Sequence, residues 1–281
     1  MSKTLLIFFF VFSISVKTDA EVVKPQKKQN FRIRLNNSIT ENDTKLLENE
    51  IVFGRGIASK LLGKYELLKD KKINNYIGKI GTGIAAQFGR KQVKYFFGIL
   101  VSEEINAFAA SGGYIFITTG TLKILENEAQ LAGVLAHEIS HDKRKHIVEN
   151  LNLNDISSEQ NIYSAFNILG GAVRTALEKL NLIAFQILTE QGLPENDEYE
   201  ADIDTIQTLQ KIGYNPHSYV KFLNNTLLIS KRNFSSTHPS TELRIQKLNE
   251  FLVSKKISKD KGKLNTDRFG FYVEILFTNN F

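Results

Sequence analysis

The chain has 281 residues, of which 42% are hydrophobic and 23% charged, with a formal net charge of +6. These are the proportions of a globular protein and exclude a fibrous or largely disordered chain. The basic excess is spread along the sequence with no basic run interleaved with aromatics, so no nucleic-acid partner is expected. There is no cysteine, which excludes disulfides and a thiol-linked lipid anchor.

Met1-Ser2-Lys3, the apolar run Leu5 to Val16 and Thr18-Asp19-Ala20 read as a secretory signal peptide over residues 1–20. The run is short for a membrane span, and an uncleaved N-terminal anchor is the alternative. Cutting after Ala20 removes Lys3, Lys17 and Asp19 and leaves a net charge of +5. Residues 21–39, with Lys24, Lys27 and Lys28, read as a flexible leader. The expected location is therefore the periplasm. No transmembrane span is expected in the mature chain, because Arg174, Glu178 and Lys179 interrupt the next most apolar segment, Phe166 to Leu188.

From Thr40 to about Tyr65 apolar residues recur at helical spacing (Leu46, Leu47, Ile51, Ile57, Leu61, Leu62), and they do so again over 71–88 (Ile73, Tyr76, Ile77, Ile80, Ile84, Phe88). Lys94 to Val101 predicts a strand. Asn106 to Thr119 predicts two short strands around Ser111-Gly112-Gly113, and Asn127 to about Asn150 a long helix. Pro194, Pro216 and Pro239 each precede a further helix. After a charged link from Lys255, the tail Phe269 to Phe277 alternates, with Phe271, Val273, Ile275 and Phe277 on one side, and predicts a final strand. The expected fold is α+β and mostly helical, with a small sheet against the long helix. One domain would cover residues 40–255, followed by the link and tail at 256–281.

The long helix carries "LAHEISH", residues 135–141. His137 and His141, four apart, share one helix face and can present ring nitrogens to one ion, while Glu138 points about 100° around the axis. Two ligands, an open position for water and a carboxylate to take its proton are the needs of a zinc peptidase. A chance pattern is the competing explanation, but Leu131, Val134, Leu135 and Ile139 would bury this helix, and buried imidazoles need partners. A third ligand is required. It can come from "ENDEYEADID", where Glu198 and Asp202 again stand four apart. Without a metal these acids would be an ordinary helix start favoured by the dipole. His146 reads as a structural hydrogen-bonding residue and His217 as a surface one.

HExxH followed by ExxxD within "EYEAD" resembles metallopeptidase family forty-eight, the group of the CAAX prenyl protease and HtpX. The resemblance is to its BepA-like periplasmic branch, with no helical-repeat extension expected. "INAFAASGGYIFITTG" just before the helix, "GYNP" after the acidic motif and "STHPSTELRI" at 236–245 fit in order, over roughly residues 45–250. Ile203, Ser111 and Lys145 depart from residues common in the family at those places.

The resemblance implies a zincin-like catalytic domain holding one Zn2+ through His137, His141 and Glu198. Glu138 would be the general base toward zinc-activated water, and Asp202 would orient a ligating histidine. Asn106, Ala107, Phe108 and Ala109 would form a sheet edge that binds substrate as an added strand, although a plain structural hairpin fits the same residues. His238 would sit over the cleft, gating the open position or assisting as an oxyanion donor. The implied activity is zinc-dependent endopeptidase action on exported, misfolded or stalled envelope proteins. A peripheral contact with the outer membrane or its assembly machinery is a further expectation. The rival is a zinc-retaining, chaperone-like envelope protein with little turnover.

Overall fold

The computed structural model describes residues 41–151, 170–233 and 241–278; the expected signal peptide and leader, and His238, lie outside them. In chain order the elements are α1 (Glu41–Lys64), β1 (Glu66–Leu67), α2 (Lys71–Phe88), β2 (Phe96–Val101), β3 (Ala107–Ala110), β4 (Tyr114–Thr118), α3 (Thr119–Ile124), α4 (Glu128–Arg144) and α5 (His146–Glu149). Then come α6 (Gly170–Gln186), a π-helical turn (Ile187–Gln191), α7 (Glu195–Ile212), α8 (His217–Asn233), α9 (Thr241–Ser254), α10 (Thr266–Val273) and α11 (Ile275–Thr278). The mostly helical α+β reading holds.

The four strands lie in the order β1-β2-β4-β3, with β2 parallel to β4 and the other two pairs antiparallel. The two-residue period of the strands sorts their side chains between two cores. Ile99, Ala107, Ala109, Ile115 and Ile117 face a cluster built with α2, α4, α7 and α8. Leu100, Phe108, Ala110 and Phe116 face a second one with Phe53, Ile57 and Leu61 of α1. Both faces of the sheet are thus covered, and β3 is its outer strand beside α4 among the described residues.

The β3–β4 turn needs its glycines: Gly112 and Gly113 adopt φ of +77° and +90°. Helix α1 crosses this turn closely enough that a Cβ on Gly54 would fall 1.5 Å from the carbonyl oxygen of Ser111. The obstacle is backbone, so no rotamer change relieves it. Gly54→Ala is expected to destabilise the protein by about 3 kcal/mol, read as a lower urea midpoint at unchanged slope. An unchanged midpoint would show that α1 does not pack there.

Two sequence expectations are corrected. The long helix does not run to Asn150: Lys145 takes a left-handed conformation (φ +58°), ends α4 at Arg144 and redirects the chain into the short α5. The tail is helical, not a strand. Its buried residues are Phe269, Val273 and Leu276, at i, i+4 and i+7, while Phe271 and Phe277 are 59% and 64% exposed. The tail sequence is compatible with both periods, and the available core face selects the helical one.

That core face lies against α2 and the start of α4. Tyr272 stacks on Tyr76, ring centroids 4.2 Å apart. Glu128, fully buried at the first position of α4, accepts hydrogen bonds from Tyr76 (2.8 Å), Asn265 (2.8 Å) and Arg268 Nε (2.6 Å), and another from Tyr214. Burial alone would raise its pKa, but Arg268 and the other donors more than offset this and hold it below the usual glutamate value. A carboxylate with a depressed folded pKa contributes stability above its unfolded pKa of about 4.5 and loses it as pH falls through the folded value. Glu128→Gln is therefore expected to lower stability by about 2 kcal/mol at pH 7. Its deficit against the wild type should shrink below about pH 4.5. A deficit independent of pH in urea titrations would exclude the charged form as the source.

Candidate metal centre

Asn127 starts α4 by accepting from the Gln130 amide (3.0 Å), and the Gln130 side chain accepts from the Glu126 amide in return (2.8 Å). From Glu128 to Asp142 every residue of this helix is buried. Its second half is crossed by α7, which follows Pro194, carries Glu195, Asp197 and Glu198 in its first turn and closes on Gly213 in the left-handed region (φ +83°). The crossing is pinned at Asp204, which accepts from Ser140 Oγ (2.8 Å) and Arg144 Nε (2.9 Å). Because α4 and α7 are locked there, Glu198 and Asp202 face the two histidines one turn away.

His137 Nε2 lies 3.0 Å from His141 Nε2 and 3.4 Å from Glu198 Oε2, and His141 Nε2 lies 3.4 Å from Glu198 Oε1. The ligand atoms of these three buried residues fall within 4.8 Å of one another, where they could hold one metal ion. The donor set suits zinc: two imidazoles and a carboxylate, with room in a tetrahedral shell for a fourth ligand. Charge agrees as well. Among the described residues, Glu138, Glu198 and Asp202 are three buried carboxylates against one buried guanidinium, that of Arg244, so acid is in excess beside the two imidazoles.

Each imidazole is held at its other nitrogen. His137 Nδ1 lies 3.2 Å from Asp202 Oδ1, and His141 Nδ1 lies 2.8 Å from His146 Nδ1. On a continuous helix His146 would point well away from His141; the left-handed Lys145 brings it back. Arg244 of α9 reaches Asp202 through Nε (2.8 Å) and Nη2 (2.6 Å), Glu198 through Nη1 (2.8 Å) and the Tyr219 hydroxyl (3.0 Å). Tyr219 in turn donates to Asp202 (2.8 Å). Burial disfavours the Asp202 carboxylate, yet Arg244 and His137 hold its pKa down at about 2. Burial also disfavours protonated His137, but bonding to Asp202 and Glu198 raises it to about 9, while burial and the charge on His137 press His141 down to about 3.

His137, Glu138, His141, Glu198 and Asp202 thus come together, and Asn106 lies just before β3 with Ala107 to Ala109 on it. His217 is half-buried, its Nε2 3.1 Å from the Ile257 carbonyl. His238 is outside the described residues. Sequence reasoning did not single out Arg244 or Tyr219 for the site. The need for a cation among buried carboxylates was legible, but which arginine supplies it is a tertiary fact.

An HExxH helix crossed by a second helix that brings a glutamate to the same point is the architecture of a metallopeptidase. The model of Peptidase family M48 matches residues 71–252, and the chain belongs to that family. It is similar to the β-barrel assembly-enhancing protease of Escherichia coli (strain K12), 28% identical over 207 residues, 70% of this chain and 42% of that protein. The putative β-barrel assembly-enhancing protease of Vibrio cholerae is 26% identical over 213 residues, 72% of this chain and 44% of that protein. The mitochondrial metalloendopeptidase OMA1 of Saccharomyces cerevisiae is 28% identical over 156 residues, 52% of this chain and 43% of that protein. The chain spans well under half the length of these relatives. Among the described residues no helix is long and apolar enough to cross a membrane.

Proposed function

We propose that the chain is a zinc-dependent endopeptidase of the periplasm that cuts misfolded or stalled envelope proteins. The observation that carries this reading is the convergence of His137, His141 and Glu198 beside the buried carboxylate of Glu138. The names of the bacterial relatives, which speak of β-barrel assembly, support the substrate class. His137, His141 and Glu198 would hold the ion, which supplies Lewis acidity toward a carbonyl oxygen and toward water. Glu138 accepts the proton of the attacking water and returns it to the leaving amine nitrogen, so the peptide bond is replaced by a carboxylic acid and an amine. Asp202 and His146 fix the rings of His137 and His141. Asn106 and the outer strand β3 that follows it, through Ala109, align an extended substrate by backbone hydrogen bonds. His238 is assigned to gating of the open position.

The test is metal content and cleavage together, on the exported chain from residue 21 onward. Wild-type protein is expected to carry one zinc per chain and to cut an unfolded outer-membrane protein, while Glu198→Ala loses most of the metal. Full occupancy in Glu198→Ala would remove it from the ligand set. A loaded wild type that holds unfolded protein without cutting it would favour the chaperone-like alternative.

A further inference from the structure

A cleft of about 380 Å3 lies where α2, the end of α7 and α10 meet Glu128, the first residue of α4. That volume falls within the range of sites for small ligands, about 300–1,000 Å3. None of its lining residues belongs to the metal centre. Glu128 precedes His137 by nine positions, about 13.5 Å along the helix axis. The walls are branched and aromatic: Ile80 and Ile84 of α2, Ile212 of α7 and Tyr272 of α10, with Tyr76 and Tyr214. The hydroxyls of Tyr76 and Tyr214 are turned to Glu128, so these residues offer the cleft ring surface. Gly83 interrupts the α2 wall, and a Cβ added there would meet no atom within 4 Å. Glycine inside a helix costs about 1 kcal/mol relative to alanine. No close neighbour requires it here, and its effect is to keep the cleft open.

The charges that a ligand meets there are positive. Glu128 is the one acid that lines the cleft among the described residues, and it is fully buried. Its oxygens accept from Tyr76, Tyr214, Asn265 and both Nε and Nη2 of Arg268. A carboxylate has about four lone-pair sites, so these donors leave none for a ligand. Arg268 is 56% exposed, and Nε and Nη2 engage only part of its fork of N–H donors. Lys79 is exposed and forms no ion pair among the described residues. With Glu128 offset by Arg268, the lining carries one net positive charge. An amine would meet two cations and a saturated acid, whereas a carboxylate meets Lys79 and the outer edge of Arg268.

We propose that this cleft binds the free C-terminal carboxylate of a polypeptide whose last residue is large and apolar. The terminal side chain packs against the isoleucines and tyrosine rings, and the carboxylate takes donors from Lys79 and Arg268. Gln87, exposed on the α2 wall, offers both a donor and an acceptor to the preceding backbone. A small aryl carboxylate shares this chemistry. The polypeptide end fits the family better, because every peptide bond that a peptidase cuts leaves one chain ending in a carboxylate.

The experiment is binding of a short labelled glycine-serine peptide ending in phenylalanine to the zinc-loaded Glu138→Gln chain, followed by fluorescence polarisation. The free acid is expected to bind about tenfold tighter than its C-terminal amide, and about tenfold tighter than the same acid ending in serine. Lys79→Glu, added to that chain, should abolish the preference for acid over amide. Gly83→Phe, which fills the cleft, should weaken the free acid by at least about tenfold. Equal binding of acid and amide overturns the proposal, as does full-strength binding by Gly83→Phe. Phenylpropionate that displaces the probe as well as the unlabelled peptide acid does would assign the cleft to small carboxylates and overturn the polypeptide end. The comparison of acid with amide on the parent chain decides the question even where Gly83→Phe does not fold. Cutting is read at no step, so failure of this proposal and failure of the peptidase reading are separate results.

Discussion

Glu138→Gln is expected to abolish peptide-bond cleavage, by roughly 10²- to 10⁴-fold, while zinc content and melting temperature stay at wild-type values. The residue is 3% exposed and lines the space beside His137 and His141. Glutamine keeps its volume and shape but takes no proton at neutral pH. The ligand atoms of His137, His141 and Glu198 are untouched, so a loss confined to turnover isolates proton transfer from metal binding. Zinc analysis, a thermal melt and cleavage of an unfolded outer-membrane protein, measured on one preparation, suffice. Wild-type rates in Glu138→Gln would mean that another group activates the water. Loss of zinc along with activity would mean that Glu138 is itself a ligand.

Where the sequence was informative, the relevant physics was local. His137 and His141, and Glu198 and Asp202, each stand four apart, so their shared faces follow from helix geometry alone. The glycines of the β3–β4 turn announce themselves in the same way. The features that escaped depend on partners distant in sequence. Glu198 Oε1 and Oε2 face different histidines because Asp204 pins α7 across α4 and Arg244 holds Oε2. His146 meets His141 because one residue, Lys145, leaves helical geometry, and no local pattern requires that of a lysine. The tail shows the same limit from the other side. Its alternating aromatics satisfy a strand pattern, yet the surface offered by Tyr76, Lys72 and Glu128 accommodates a helix, with Lys72 Nζ bonded to the Phe271 carbonyl at 3.0 Å.

Arg244 is where this dependence is greatest, and Arg244→Met is expected to damage both the stability of the protein and its hold on the metal. Its guanidinium forks across Asp202, Glu198 and the Tyr219 hydroxyl, all fully or almost fully buried. Removing one partner of such a set leaves carboxylates uncompensated in a low-dielectric interior, a cost of about 3–5 kcal/mol. Methionine restores most of the volume, so the loss reports charge and hydrogen bonding rather than a cavity. Arg244→Lys should lie between, since one ammonium cannot span the three acceptors. The damage should extend to the metal. Glu198 Oε2 is set by Arg244 Nη1, and Asp202, which faces His137 Nδ1, is set by Nε and Nη2. Zinc affinity in Arg244→Met should therefore fall about 10- to 100-fold, the range typical when groups that orient ligands are lost. Urea unfolding and competitive zinc titration measure the two effects separately. If both stay at wild-type values, the guanidinium does not hold the acidic pair, and His137 and Glu198 are fixed by α4 and α7 alone.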